Sequence, residues 1–358
     1  MKPGPALENL TGAIVEICRS GLAPDALRAR VLPRLRRAVP FDAAFWSTVD
    51  PQTLLFTQPH QEEIPPETIP YFVHNEFLGD DVNKWSALAS ERLGVRTMAE
   101  ATDGDLEASA RYRDIFHPLG LGDELRAVLR ARGSCWGCLC LHREAGTPFS
   151  PEEVGYVRRL APHLAEAIRA GLLVASIESA DVADAPGLVV VAADGSAAMV
   201  TEAGARWLQD LGYTGPALPA EVQALAAAGG PSRLRVRTRA GRWAVLHASG
   251  LPMADGQAVA VIIDEPSPAE MAPLLMLAYG LTKQEQAVTR LVCRGLSTRE
   301  LADRLRITQN TVQDHLKAIF EKTGVGSRRE LVATILQEQY LPRAMAGQRI
   351  GRSGSFVA

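Results

Sequence analysis

The stretch LTKQEQAVTRLVCRGLSTRELADRLRITQNTVQDHLKAIFEKTGVGSRRELVATIL, residues 281–336, decides how this chain is read. It spaces as four short helices with a tight turn between the second and third, the local grammar of a helix-turn-helix. Thr282 with Glu285, and Ser297 with Glu300, have the spacing of capping boxes, in which hydroxyl and carboxylate satisfy the free amides at a helix start. Thr308 and Ser327 stand where the third and fourth helices need N-caps. Val288, Leu291 and Val292 recur at helical spacing until Gly295 ends the first helix, where a left-handed residue is needed. Leu301, Ala302 and Leu305 supply the buried face of the second helix. Val312, Leu316, Ile319 and Phe320 supply that of the third.

Gln309, Gln313 and Lys317 are left facing outward on the third helix, with Asn310 and Asp314 beside them. Glutamine and asparagine pair bidentately with adenine in the major groove, and lysine reaches guanine or phosphate. Double-stranded DNA is the partner this face implies. Charge agrees. Residues 281–358 hold 13 Lys+Arg and 7 Asp+Glu, so 13 − 7 = +6; the whole chain is −3, which leaves −9 for residues 1–280. A basic module on an acidic body confines phosphate contact to one end.

Leu281-Thr282, Glu285, Gly295-Leu296-Ser297, Glu300-Leu301-Ala302, Thr311-Val312, His315-Leu316, Gly324-Val325 and Ser327-Arg328 together carry a resemblance to the LuxR-type four-helix DNA-binding domain. The resemblance implies that Thr298 to Lys317 is the helix-turn-helix unit and that the fourth helix supports dimer formation on DNA. The residues expected at the DNA are Thr298, Arg299, Thr308, Gln309, Asn310, Thr311, Gln313, Asp314, Lys317, Lys322, Ser327, Arg328 and Arg329. Of these, Lys317, Lys322, Arg328 and Arg329 are expected on phosphate. Gln313 departs from the lysine common in the family, and Asp314 adds a negative charge. No operator sequence can therefore be carried over.

At 358 residues the chain exceeds one ordinary core, so two or three domains are expected. Hydrophobic content of 47% and charged content of 22% belong to a soluble globular protein. No apolar run approaches the roughly 18 residues needed to cross a bilayer. The opening MKPGPALENLTG has no apolar signal core. Five cysteines without regular spacing fit a reducing compartment, so a cytoplasmic location is expected. No G-x-x-x-x-G-K-[ST] occurs, which excludes a nucleotide-driven regulator. Asp80-Asp81 follows a helical segment, which does not suit the acidic pocket of a phosphorylated receiver.

Ahead of the DNA-reading end, two helices are expected to about residue 40, carrying Leu10, Ile14, Ile17 and Leu27, Val31, Leu35. Strands follow in AAFWSTVD and LLFTQP, then a helical middle with Tyr71, Phe72, Phe77, Leu88 and Leu93. Leu125–Leu129 and Cys135–His142 return to strand chemistry. SARYRDIFHPLGLGDELRAVL and CWGCLCLHREAGTPFSPEEVGYVRRLAPHLAEAIRA resemble the GAF-like input half of actinobacterial LuxR-type regulators. Ser150 and Glu153 open a helix to about Ile177, kinked at Pro162. Its Val154, Val157, Ala161, Leu164 and Ile168 form either a coiled-coil seam or the core side of a flanking helix. GLVVVAADGSAAMVTEAGARWLQDLG then offers a hairpin with a two-residue Asp194-Gly195 turn and a helix starting at Thr201. An alanine-rich, low-complexity stretch precedes three alternating strands in SRLRVRTRAGRWAVLHASGL and QAVAVIIDE. Strand pair, helix and three strands resemble a reduced PAS domain.

The expected fold is thus multidomain α+β. It comprises a GAF-like sensor with flanking helices (1–175), a PAS-like domain (180–266), a linker helix (267–280), a LuxR-type helix-turn-helix (281–340) and a flexible basic tail (341–358).

Gly133-Ser134-Cys135-Trp136-Gly137 matches G-x-C-x-G, but a nucleophile elbow needs a strand before it and a helix after it. The CLCLHRE that follows alternates like a strand, so no catalysis is expected. Cys138, Cys140 and His142 share one strand face at about 6.8 Å spacing. Their donors suit zinc or an iron–sulfur centre, yet one strand cannot close a tetrahedron and no fourth ligand is visible. No metal and no cofactor is expected; instead this face, with Trp136, is expected to line a ligand pocket. The functional expectation is a non-enzymatic transcription regulator acting as a homodimer. Double-stranded DNA, RNA polymerase and a small-molecule effector are its expected partners, with no membrane. The alternative is a ligand-binding or redox-sensing protein whose C-terminal bundle contacts protein.

Overall fold

The computed structural model describes residues 5–174, 185–213, 217–228, 232–253, 256–337, 349–350 and 356–357. The chain divides into two compact units, one of Met1–Gly171 with Asp184–Glu265 and one of Leu172–Ala183 with Pro266–Ala358.

The first unit holds two antiparallel sheets. In the first sheet, β1 (Ala43–Val49), β2 (Phe56–Glu62), β3 (Val95–Thr97), β4 (Leu121–Ala131) and β5 (Ser134–Glu144) run in the order β2-β1-β5-β4-β3. β4 and β5 meet at Arg132 and Gly133, both at positive φ (50° and 77°), the backbone that a two-residue hairpin turn demands. Helices α1 (Pro5–Arg19), α2 (Pro24–Ala38) and α6 (Pro151–Val174) flank this sheet, while α3 (Ile69–Phe77), α4 (Trp85–Ser90) and α5 (Met98–Ala101) interrupt it between β2 and β4.

α6 lies very close to β5. A Cβ on Gly137 would sit 2.9 Å from the Ser47 carbonyl of β1 and from Ile168 Cδ1 of α6, and the fixed β1 backbone is what requires glycine there. The Ser150–Glu153 capping box starts α6, and Pro162 stands inside the helix without ending it. Val154, Val157, Ala161, Leu164 and Ile168 are all at most 4% exposed. The apolar seam is therefore consumed as core within one chain. On the other side of the sheet, the Phe45, Phe56 and Phe72 rings cluster with centroids 5.1–6.2 Å apart.

The second sheet joins β6 (Gly187–Val191), β7 (Ala197–Val200), β8 (Ser232–Arg237), β9 (Trp243–Met253) and β10 (Gly256–Asp264) in the order β7-β6-β10-β9-β8, the same succession as the first. Its first hairpin corrects the two-residue Asp194-Gly195 turn. Ala192 to Ser196 all lie outside the strands, and Ala192 N–H donates to Ser196 O at 2.9 Å. α7 (Glu202–Asp210), capped by Thr201, crosses β6 closely enough that a Cβ on Gly204 would meet Leu188 O at 2.6 Å. The alanine-rich stretch is also corrected, because it folds as α8 (Ala220–Ala227) with Val222, Ala224 and Leu225 wholly buried. Alanine is the best helix former, and here its small side chain fits a tight interface rather than marking low complexity.

α8 packs on α3 and β2 as well as on β8, binding the two halves of this unit. Arg235 of β8 closes the junction. It reaches both carboxylate oxygens of Asp50 at 2.8 Å and Gln52 Oε1 at 2.6 Å, with both charged side chains 1% exposed.

The second unit contains α9 (Pro268–Ala278), α10 (Lys283–Cys293), α11 (Thr298–Leu305), α12 (Gln309–Thr323) and α13 (Arg328–Val332). One core joins them through Leu275, Met276, Val288, Leu301, Val312, Leu316, Ile319 and Leu331. Of the expected tail, only two-residue strands β11 (Arg349–Ile350) and β12 (Phe356–Val357) fall among the described residues; the rest lies outside them.

Candidate nucleic-acid interface and sensor pocket

Each DNA-reading helix begins on a cap that the sequence encodes. Glu285, Glu300, Thr311 and Glu330 donate backbone N–H to the hydroxyls of Thr282, Ser297, Thr308 and Ser327 at 3.1–3.4 Å. Two of the caps close reciprocally as capping boxes, the Glu285 and Glu300 carboxylates accepting from Thr282 N and Ser297 N, while Glu330 accepts from Ser327 Oγ and Gly326 N. Gly295 follows α10 at φ 84°. The turn between α11 and α12 is made by Arg306, a non-glycine residue at φ 56°, whose N–H returns to Ala302 O. Such a residue is held left-handed only where its surroundings over-determine it. It sets how α12 leaves α11.

α12 runs 15 residues, about 22 Å at 1.5 Å per residue, long enough to lie in a major groove. Val312 and Ile319 face inward at 0% exposure, which forces Gln309, Asn310, Gln313, Asp314 and Lys317 outward, and all five are exposed. Thr308, Arg299 and Arg329 are exposed as well, whereas Thr298, Thr311, Lys322, Ser327 and Arg328 are half-buried.

The four cations expected on phosphate therefore differ in what holds them. Lys322 Nζ pairs with both oxygens of Glu285 at 2.6 and 2.8 Å, tying α12 to the cap of α10. Arg328 donates to Leu296 O and to Thr298 Oγ1 at 3.0 and 2.8 Å, bracing the approach to α11. Lys317 and Arg329 remain as exposed cations. Sequence reading passed over Arg304 and Arg306, two exposed cations beside the turn. Their signal was position: basic residues in the last turn of α11 and in the helix-turn-helix turn itself.

The expected ligand face lies in the first sheet. Cys138, Cys140 and His142 are 1% exposed or less and look toward α3 and its aromatic cluster. Trp136 is buried elsewhere, its indole donating to Ala131 O at 3.1 Å. A pocket between β1, β2, α3 and α8 is lined mainly by Phe45, Phe56, Phe72, Ile115, Phe116 and His142, and its free volume is about 20 Å³. Gln61 and Thr68 add its other polar groups. Of the four residues named from sequence, His142 alone lines it. The His142 ring rests 4.4 Å from that of Phe116, and neither ring nitrogen has a hydrogen-bond partner among the described residues.

Behind His142 lies a buried ionic network that sequence reading missed. Glu124, opposite His142 on β4, accepts from Arg111 at 2.7 and 3.1 Å and from Arg126 at 3.0 Å. Arg126 also meets Glu76 at 2.7 Å, and Arg111 lies 3.6 Å from Asp81. Burial alone would raise the Glu124 carboxyl; the two guanidiniums outweigh it and hold the group well below the carboxylate range. Burial lowers His142 to about 4, against the attraction of Glu124. Burial likewise pushes the Cys138 and Cys140 thiols well above their ordinary value, leaving them neutral and poor nucleophiles.

Glu124, Cys140 and His142 bring three donor atoms within 4.8 Å of one another, the makings of a metal site. The same carboxylate is already shared by two guanidiniums, and a divalent cation there would face both positive charges. The arrangement suits charge balance among the residues present better than it suits a metal.

Residues 279–335 match the family described as bacterial regulatory proteins, luxR family, and residues 29–168 match the GAF domain. The spore germination protein GerE of Bacillus subtilis is 35% identical over 57 residues, 16% of this chain and 77% of that protein. A putative HTH-type transcriptional regulator of Mycobacterium bovis is 46% identical over 52 residues, 14% of this chain. The chain spans only 6% of the length of that mycobacterial relative. Among solved structures, the GAF domain of a phosphoenolpyruvate-protein phosphotransferase from Coxiella burnetii is 19% identical, with a TM-score of 0.34 over 46% of this chain and 95% of that one. SdiA in complex with octanoyl-rac-glycerol is 12% identical, with a TM-score of 0.37 over 93% of this chain and 96% of that one.

Proposed function

The chain belongs to the luxR family of bacterial regulatory proteins and carries a GAF domain ahead of its DNA-binding helices, and on that premise we propose that it is a homodimeric transcription regulator under small-molecule control. The observation that carries the reading is the outer face of α12. Gln309, Asn310, Gln313, Asp314 and Lys317 are presented together by a helix whose inner face is fully consumed as core. In this reading α12 enters the major groove and the glutamines read base edges, while Lys317, Arg329, Arg304 and Arg306 meet phosphate. Arg328 and Lys322 hold the unit's geometry through their bonds to Leu296, Thr298 and Glu285.

The second sheet is read as a reduced PAS module, supported by its strand succession and by the helices between its second and third strands. The effector binds the aromatic pocket of the GAF domain and shifts the population of two dimer arrangements, which changes the spacing of two DNA readers. Coupling of that kind is limited by the effector's differential affinity for the two states. RNA polymerase is the protein partner this output implies. The protein acts by binding, without catalysis.

A mobility-shift titration of the full chain on the upstream region of its own gene tests the reading. Binding should weaken steeply as salt rises. Absence of any shift, or a shift indifferent to salt, would favour a sensor whose C-terminal helices contact protein.

A further inference from the structure

The DNA-reading helix carries a negative charge on the face it would turn to a polyanion. The first two turns of α12, Gln309 to Leu316, contain a single carboxylate, Asp314. It stands two residues after Val312 and two before Leu316, both buried, so at 3.6 residues per turn it lies about 160° around the helix from each. Asp314 therefore points away from the core. The Glu285, Glu300 and Glu330 carboxylates of the same unit are used within the protein, in helix caps. The Asp314 side chain is exposed and makes no hydrogen bond or ion pair among the described residues, nor do Asn310, Gln313 and Lys317 beside it. Aspartate is also among the weaker helix formers, so the stability of α12 does not ask for it.

We infer that Asp314 selects cytosine: its carboxylate accepts a hydrogen bond from the cytosine 4-amino group in the major groove and turns away the other bases at that position. The inference deepens the proposed function. It rests on α12 entering the groove, and it names one base of each half-site.

The choice follows from donors and acceptors. An ionised carboxylate only accepts. Guanine shows the acceptors N7 and O6 to the major groove, and thymine shows O4 and a methyl group, so neither offers a donor. Adenine offers its 6-amino group, but the N7 acceptor beside it would face the second carboxylate oxygen. Cytosine alone presents an amino group without a neighbouring acceptor. Asn310 and Gln313 lack this selectivity, because an amide holds one donor group and one acceptor, the match of adenine. A carboxylate brought between two phosphate-lined strands is repelled wherever no amino group meets it. The wrong base therefore costs more than one lost bond.

Position along the helix agrees. The N-terminal residues of a recognition helix are the ones that meet base edges. Asp314 is the sixth residue of α12, in its second turn. Glu321, the other acidic residue of α12, lies about 10 Å further along at 1.5 Å per residue, toward the C-terminal end and outside that part.

The test selects duplexes from a random pool with the full-length wild type, Asp314→Ala and Asp314→Asn, changes that an exposed side chain tolerates in folding. The wild type should enrich a cytosine at one fixed position of each half-site, and replacing it should weaken binding roughly tenfold or more. Asp314→Ala should lose that preference and bind unrelated duplex more tightly than the wild type. Asp314→Asn should exchange cytosine for adenine, whose edge an amide matches. N4-methylcytosine at the selected position removes the groove-facing N–H; it should weaken the wild type about tenfold and leave Asp314→Ala unmoved. Cytosine preference surviving in Asp314→Ala, or a uniform gain in affinity with no change of preferred base, would overturn the inference while leaving DNA reading by α12 intact. A wild type that enriches no site at all would overturn both.

Discussion

Lys317 and Lys322 lie on the same helix, five residues apart, and a sequence reading assigns both to phosphate. Their surroundings separate them. Lys317 is exposed, while Lys322 is 30% exposed and paired at 2.6 Å with Glu285, the carboxylate that also caps α10. Each phosphate neutralised contributes about 0.9 to the slope of log affinity against log salt. In the proposed homodimer, in which each protomer loses Lys317 to alanine, the slope should flatten by about 1.8, a loss of roughly 60-fold at 0.1 M salt relative to 1 M. Lys322→Ala should leave the slope unchanged. It strands a 5%-exposed carboxylate with one backbone donor, which should destabilise the helix-turn-helix unit by roughly 1–2 kcal/mol. Fluorescence anisotropy on a fixed duplex from 0.05 to 0.4 M salt reads the first effect, and thermal melting reads the second. If Lys322→Ala flattened the slope by about 1.8 without moving the melt, the division of labour drawn from the ion pair would be wrong.

The buried charges set further expectations. Removing the Glu124 charge with Glu124→Gln leaves Arg126 with Glu76 and Arg111 with Asp81 but takes away the carboxylate the two share, and breaking such a buried pair costs about 3–5 kcal/mol; urea unfolding should show it, and a cost below 1 kcal/mol would refute the network's role. Glu221 is pushed by burial to about 7, from an unfolded value near 4.5, so its contribution is full below 4.5 and lost as pH rises through 7. Glu221→Gln should therefore gain roughly 3 kcal/mol at pH 8 and nothing at pH 4. His142 has the opposite sign: its folded value of about 4 lies below 6.5, so its stabilisation is present above 6.5 and lost on acidification through 4. Unfolding free energies of a His142→Phe variant measured between pH 4 and 7 should lack that part of the slope.

What was legible in the sequence was whatever local chemistry specifies. The capping pairs of Thr282, Ser297, Thr308 and Ser327 act within three residues, and all four stand in the structure as their spacing implies. The inward stripe of α12 is equally local. Features made by partners far apart in sequence stayed hidden. Glu124 meets Arg111 across 13 residues, and Asp50 meets Arg235 across 185, so neither pair leaves a spacing to read. α8 was overlooked because alanine carries little amphipathic signal, although it crosses from one sheet to the other. The α6 stripe left two outcomes open, and the burial of Val154, Val157, Ala161, Leu164 and Ile168 within one chain decides that it is core. His142 was singled out for metal-like spacing with Cys138 and Cys140, but the structure marks it through its unmet hydrogen bonds.

Sequence-specific DNA binding through α12 is most directly tested by selecting duplexes from a random pool with the full-length protein. The expected result is a two-fold symmetric site with half-sites about one helical turn apart, or a multiple of that, and a change of preferred bases in Gln313→Ala. Failure to enrich any site, or an enriched site unaltered by Gln313→Ala, would contradict it.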